Sequence, residues 1–158
     1  MLNDLLQDDH ERIGHLLYML IDGLRNGKPD IKSFEEAKKE LIDHIFWEEE
    51  YLFPSVKNDK TVTLITGLEA EHGGIWKLII STDEYIAKGD NLECLKTVEA
   101  LVRVLEGHNK SEEESIYLEL EKLPEESKRA LILAEMDNVS LPEGWVCKIL
   151  RPRGSNRS

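Results

Sequence analysis

Apolar residues recur at alternating intervals of three and four in four successive stretches of the chain, the spacing that puts one apolar stripe on each of four amphipathic helices. The first stripe runs Leu6, His10, Ile13, Leu17, Leu20, Leu24, and the second Phe34, Ala37, Leu41, His44, Glu48, Tyr51. The third runs Ile65, Leu68, His72, Ile75, Ile79, and the fourth Val98, Leu101, Leu105, His108, Glu112. Turn-forming residues separate the stripes at 26–30, around 54–60 and at 88–91. Connections this short set neighbouring helices antiparallel, so the pattern predicts an all-α, up-down-up-down four-helix bundle over residues 1–122. Residues 123–158 read as an extension that packs on the bundle or forms a dimer or partner contact. It comprises a short fifth helix over 125–137, an apolar stretch over 145–150 and a basic tail with Arg151, Arg153 and Arg157.

Six polar residues interrupt the apolar stripes, and helix geometry places them at one height. Counted from a turn near 28, His10 lies about 18 residues back while His44 and Glu48 lie about 16 and 20 forward, at 1.5 Å of rise per residue. From a turn near 59, Glu48 and His72 are about 11 and 13 residues away; from one near 89, His72 and His108 are about 17 and 19 away. His10, His44, Glu48, His72, His108 and Glu112 are therefore expected in one layer, facing inward.

The chain also repeats itself. The segment from His44 to Phe53 and the segment from His108 to Tyr117 both read His, three residues, three Glu, one residue, aliphatic, aromatic. A second correspondence joins Asp9-His10-Glu11-Arg12-Ile13 to Glu71-His72-Gly73-Gly74-Ile75, so each half supplies one lone-histidine helix and one His-x-x-x-Glu helix. His and Glu four apart differ by about 40° in direction, so both can reach one point from a single helix.

Burying carboxylates and imidazoles in an apolar layer costs several kcal/mol per unpaired charge, a cost that a cation offsets. Imidazole mixed with carboxylate suits iron first and manganese or zinc less distinctly, and the missing thiolates disfavour iron–sulfur clusters and structural zinc. Two octahedral centres need about twelve positions; four His, two bridging Glu and a bridging solvent oxygen fill about ten, leaving about one open site per metal. Glu49, Glu50, Glu113 and Glu114 read as solvated face, with Glu49 or Glu113 the candidates to hydrogen-bond a ligand histidine. Trp47 and Trp76 read as packing residues, and Gly73, Gly74 and Gly107 as relief of crowding beside the ligands. His15, five residues after His10, turns about 140° away and is left off the site.

A net charge of -12 argues against a nucleic-acid partner, since phosphate binding needs a basic surface. The two cysteines, Cys94 and Cys147, have no short metal-ligand spacing and fit a reducing compartment. No stretch approaches the roughly 20 apolar residues of a membrane span, and the N-terminus lacks a basic start, so a soluble cytoplasmic protein is expected.

At these residues the sequence resembles the hemerythrin-like (HHE cation-binding) family, with its His, His-x-x-x-Glu, His, His-x-x-x-Glu pattern, over residues 1–122. The resemblance implies a di-iron protein with His10, His44, His72 and His108 as terminal ligands and Glu48 and Glu112 as bridging carboxylates, the pairing of histidines to irons being open. Trp76 stands where the oxygen-carrying hemerythrins have a second histidine, and Glu112 where they have an aspartate. The remaining set is similar to the hemerythrin-like domain of proteins that repair iron–sulfur centres. The function expected from this is non-catalytic binding of dioxygen or nitric oxide, or sensing of iron or oxygen status. The alternative is a di-iron enzyme or repair protein acting on nitric oxide, peroxide or damaged iron–sulfur centres.

Overall fold

The computed structural model describes residues 2–136 and 141–152. Its long helices are α1 (Leu2–Arg25), α2 (Ile31–Trp47), α4 (Val62–Lys88) and α5 (Asn91–Glu114), and no strand occurs among the described residues. Local chemistry fixes their ends. The Asp30 side chain accepts from the Ser33 N–H to start α2, and Asp90 accepts from the Glu93 N–H to start α5, each satisfying a donor that the first helical turn leaves free. Gly89, at φ 68°, closes α4 in the left-handed region where a side chain would be strained.

The second and fourth arms do not run straight past the polar layer. After α2 the backbone widens into a π turn over Glu48–Leu52, where the Phe53 N–H bonds the Glu48 carbonyl, and then resumes as α3 (Phe53–Val56). Pro54 therefore lies inside helix rather than in a connecting loop as the sequence suggested. Its ring and missing N–H would disrupt a regular ladder, and the widened turn ahead of it accommodates both. At the matching place in the repeat, α5 breaks at Ser115 and resumes as α6 (Ile116–Glu121).

α1 packs against α2 and α5, and α4 against α5 and α2, a closed ring of neighbours. Every apolar position of the four stripes is buried except Tyr51, which is half-buried. The buried apolar residues form two clusters, one holding Ile13, Leu17, Leu41, Ile75 and Leu105 and the other Leu6, Leu52, Leu68 and Ile116. The polar residues of the stripes fall in sequence between them, so the core is two apolar blocks with a polar layer in between.

The helix expected over 125–137 is α7 (Glu125–Met136); residue 137, Arg153 and Arg157 lie outside the described residues. Trp47 donates from Nε1 to the Leu131 carbonyl of α7, 3.2 Å away. Further on, Trp145 packs on Phe46 and Trp76, and a short 3-10 turn (Lys148–Leu150) lies against α4. Gly73 makes that seat possible, because a Cβ there would collide with Ile149. The reading of Gly73, Gly74 and Gly107 as relief for the polar layer is corrected: Gly73 makes room for Ile149, and a Cβ at the other two would meet nothing.

Candidate metal centre

α1 supplies His10, α2 His44 and the π turn Glu48, while α4 supplies His72 and α5 both His108 and Glu112. All six are buried, with Glu48, His72 and Glu112 fully so. The four-residue spacing brings His44 Nε2 to 3.2 Å from Glu48 Oε2 and His108 Nε2 to 3.0 Å from Glu112 Oε1. Across the layer, His72 Nε2 is 3.0 Å from Glu48 Oε1, and His10 Nε2 is 3.2 Å from His44 Nε2 and 3.8 Å from Glu112 Oε1. The donor atoms form two groups, each spanning no more than 4.8 Å: His10, His44, Glu48 and Glu112 in one, Glu48, His72 and His108 in the other. Glu48 belongs to both.

Only part of this proximity is hydrogen bonding: His72 Nε2 pairs with Glu48 Oε1 and His10 Nε2 with His44 Nε2. Glu48 Oε2, His108 Nε2 and both Glu112 oxygens lack a hydrogen-bond partner despite their close neighbours. A buried orphan of this kind costs about 1–3 kcal/mol, so four in one layer would be expensive to no purpose. Converging imidazole and carboxylate lone pairs with several left orphaned are what a divalent transition metal takes, and the residues fit such an ion.

The layer also drives its protonation states apart. Burial, aided by His44, presses His10 down to about 3. Burial acts the same way on His108, but Glu112 and Glu48 outweigh it and raise that ring to about 11. His44 and His72 are likewise raised against burial, chiefly by Glu48. Burial pushes Glu112 up to about 8, with Glu48 beside it adding to the rise.

The outward nitrogen of each histidine faces an acid from a neighbouring helix, in a pattern that follows the sequence repeat. His72 Nδ1 donates to Glu49 Oε2 at 2.7 Å, and the repeat counterpart sets His10 Nδ1 3.6 Å from Glu113 Oε1. His108 Nδ1 donates to Glu71 Oε1 at 2.8 Å, and its counterpart sets His44 Nδ1 3.8 Å from Asp9 Oδ2. At His72 and His108 such partners fix the tautomer and aim the other nitrogen inward. Glu49 is buried against His72 and is the histidine partner, not part of the solvated face. It also accepts the Lys148 N–H at 2.9 Å, while Glu50 accepts from Trp145 Nε1 and Arg151 Nη2, each at 3.0 Å. The C-terminal segment thus reaches His72 through one carboxylate.

Sequence reasoning missed Glu71, Asp9 and Tyr117 as parts of the site. The repeat carried the signal, since it aligns Asp9 with Glu71 and Phe53 with Tyr117. Phe53 stacks on His72 and Tyr117 on His10, and the Tyr117 hydroxyl adds a contact to His10 Nε2 at 3.1 Å. Burial, reinforced by Glu112 and Glu48, holds the phenol well above its usual range and so neutral. His15 is exposed and takes no part.

Fold and site together define a helical protein whose buried His/Glu clusters can hold a metal. The chain belongs to the hemerythrin HHE cation-binding domain family, whose model matches residues 1–129. No curated protein and no solved structure matches it. No helix among the described residues is long and apolar enough to cross a membrane.

Proposed function

We propose that this chain is a cytoplasmic non-haem di-iron protein that binds dioxygen or nitric oxide, or reports iron or oxygen status through such binding. In this reading the four arms form an up-down-up-down bundle ending near residue 122, with 123–158 as an appended segment. His10, His44 and Glu112 would serve one iron and His72 and His108 the other, with Glu48 shared between them; Glu112, with Oε1 near both His10 and His108, is the second candidate to be shared. The irons supply open positions where a small ligand can bind. The observation that carries the reading is the set of convergent, orphaned donors, together with what adjoins them. A cavity of about 80 Å³, floored by His10, His44, His72 and His108 and walled by Ile13, Leu17, Leu41, Ile75 and Leu105, leads to the layer. Its size and largely apolar walls suit a diatomic gas.

One feature favours the second reading, a di-iron enzyme acting on peroxide or nitric oxide: the Tyr117 hydroxyl is a neutral proton donor held at the site. The test is metal analysis of protein from iron-supplemented cells, followed by anaerobic titration with nitric oxide and exposure to oxygen. Two irons per chain with optical bands that respond to either gas support binding, and sustained consumption of peroxide or nitric oxide supports the enzyme. Failure to take up Fe(II) overturns both.

A further inference from the structure

His44 has two faces. Its Nε2 points into the layer, while Nδ1 points the opposite way, toward Asp9 on α1 and Glu135 on α7. One ligand atom from each of Asp9, His44 and Glu135 lies within 4.8 Å of the others. The His44 side chain is only 6% exposed, yet its Nδ1 has no hydrogen-bond partner, and neither has Glu135 Oε2. These atoms border a groove of about 590 Å³, lined also by Glu40 and Asp43, which pair with Arg12 and Lys39, so a channel leads to the back of one histidine of the layer. Glu135 lies beyond the 129 residues matched by the family, on the helix that this chain places over Trp47.

We propose that Asp9, His44 Nδ1 and Glu135 form an outer site for a divalent transition-metal cation, filled before the inner centre and emptied into it. One imidazole with two carboxylates and solvent is a donor set of the right chemistry for Fe(II), Co(II) or Mn(II). Three protein ligands at a groove bind more weakly than the inner set, as a transfer station requires. A neutral imidazole has one lone pair, so His44 serves the outer cation or the inner one, but not both at once. Its ring proton sits on Nε2 while the outer site is filled, and on Nδ1, facing Asp9, once the cation has moved inward.

The inference rests on the proposed function, because it needs an inner centre to fill. Anaerobic stopped-flow mixing with Co(II), followed by its visible bands, tests it. Wild type is expected to show a fast phase that saturates with Co(II) concentration, then a slower phase that ends at two Co(II) per chain. Glu135→Gln, whose fold is checked by circular dichroism, should lose the fast phase and fill at least tenfold more slowly to the same end point. Glu40→Gln removes a carboxylate from the groove wall, the one paired with Arg12, without removing a ligand, and should load close to the wild-type rate. Equal slowing by the two variants would make the groove a diffuse electrostatic funnel and overturn the site. Wild-type loading by Glu135→Gln would overturn it as well, leaving the inner centre standing. No Co(II) uptake by wild type would refute the inner centre together with the outer one.

Discussion

The polar layer is built from two copies of one helix pair, and the copies are held differently. Around His72 and His108 both outward nitrogens have hydrogen-bonded carboxylates, at 2.7 and 2.8 Å. Around His10 and His44 the corresponding gaps are 3.6 and 3.8 Å, and neither Nδ1 has a partner. One cause is visible in the sequence: Asp9 is one methylene shorter than Glu71. Another lies in what covers each half. The C-terminal segment seats Lys148 on Glu49 and so tightens the His72 side, whereas a solvent groove lies behind His44. The aromatic caps differ as well, Phe53 over His72 being inert and Tyr117 over His10 carrying a hydroxyl. Duplication thus provides two sets of donors, and the two sets are unequally supported.

The comparison breaks most completely at Glu48, which both donor groups share. Glu48→Ala is expected to abolish uptake of both cations, a loss beyond the ~100-fold that removing an outer hydrogen-bond partner costs. His10→Ala should leave the cation at His72 and His108 in place. Metal-to-protein ratios after desalting distinguish the two, and equal loss in both variants would show that the halves do not bind separately.

Acidity comes next. His44, His72 and His108 are raised above their ordinary range, so these rings hold protons near neutrality that a cation must displace. Apparent affinity should therefore rise with pH, by about tenfold per unit for each proton displaced, and fall as pH drops. His10, held down to about 3, adds nothing to this slope above the acid range. Zn(II) titration in weak buffer with an indicator dye should show protons released at pH 7; no release would contradict the assignment.

A smaller and more selective effect is expected from the outer carboxylates. Glu49→Gln should lower affinity at the His72 side by about 10–100-fold, whereas Glu113→Gln, at the longer gap, should change it little. Competition against a chelator measures both, and equal effects would remove the asymmetry. The smallest change is Gly73→Ala. Its Cβ collides with Ile149, overpacking that costs about 1–3 kcal/mol and is relieved if the C-terminal segment lifts. Faster tryptic cleavage after Lys148, with metal content close to wild type, is the expected result.

The four stripes and the six inward polar residues were legible from spacing alone, because an i to i+4 relation fixes direction on a helix whatever surrounds it. The repeat likewise exposed the two-copy design. The widened turn at Glu48 was not legible: it depends on how that arm must bend around the layer, which no local pattern states. Glu71 meets His108 from 37 residues away, Lys148 meets Glu49 from 99 and Tyr117 meets His10 from 107. The sequence by itself determined which helices form and which faces carry the donors, because those follow from periodicity within one chain segment. Which acid backs which histidine, and which half is clamped, was decided only by tertiary structure, because those contacts depend on the rotation and spacing of helices packed side by side.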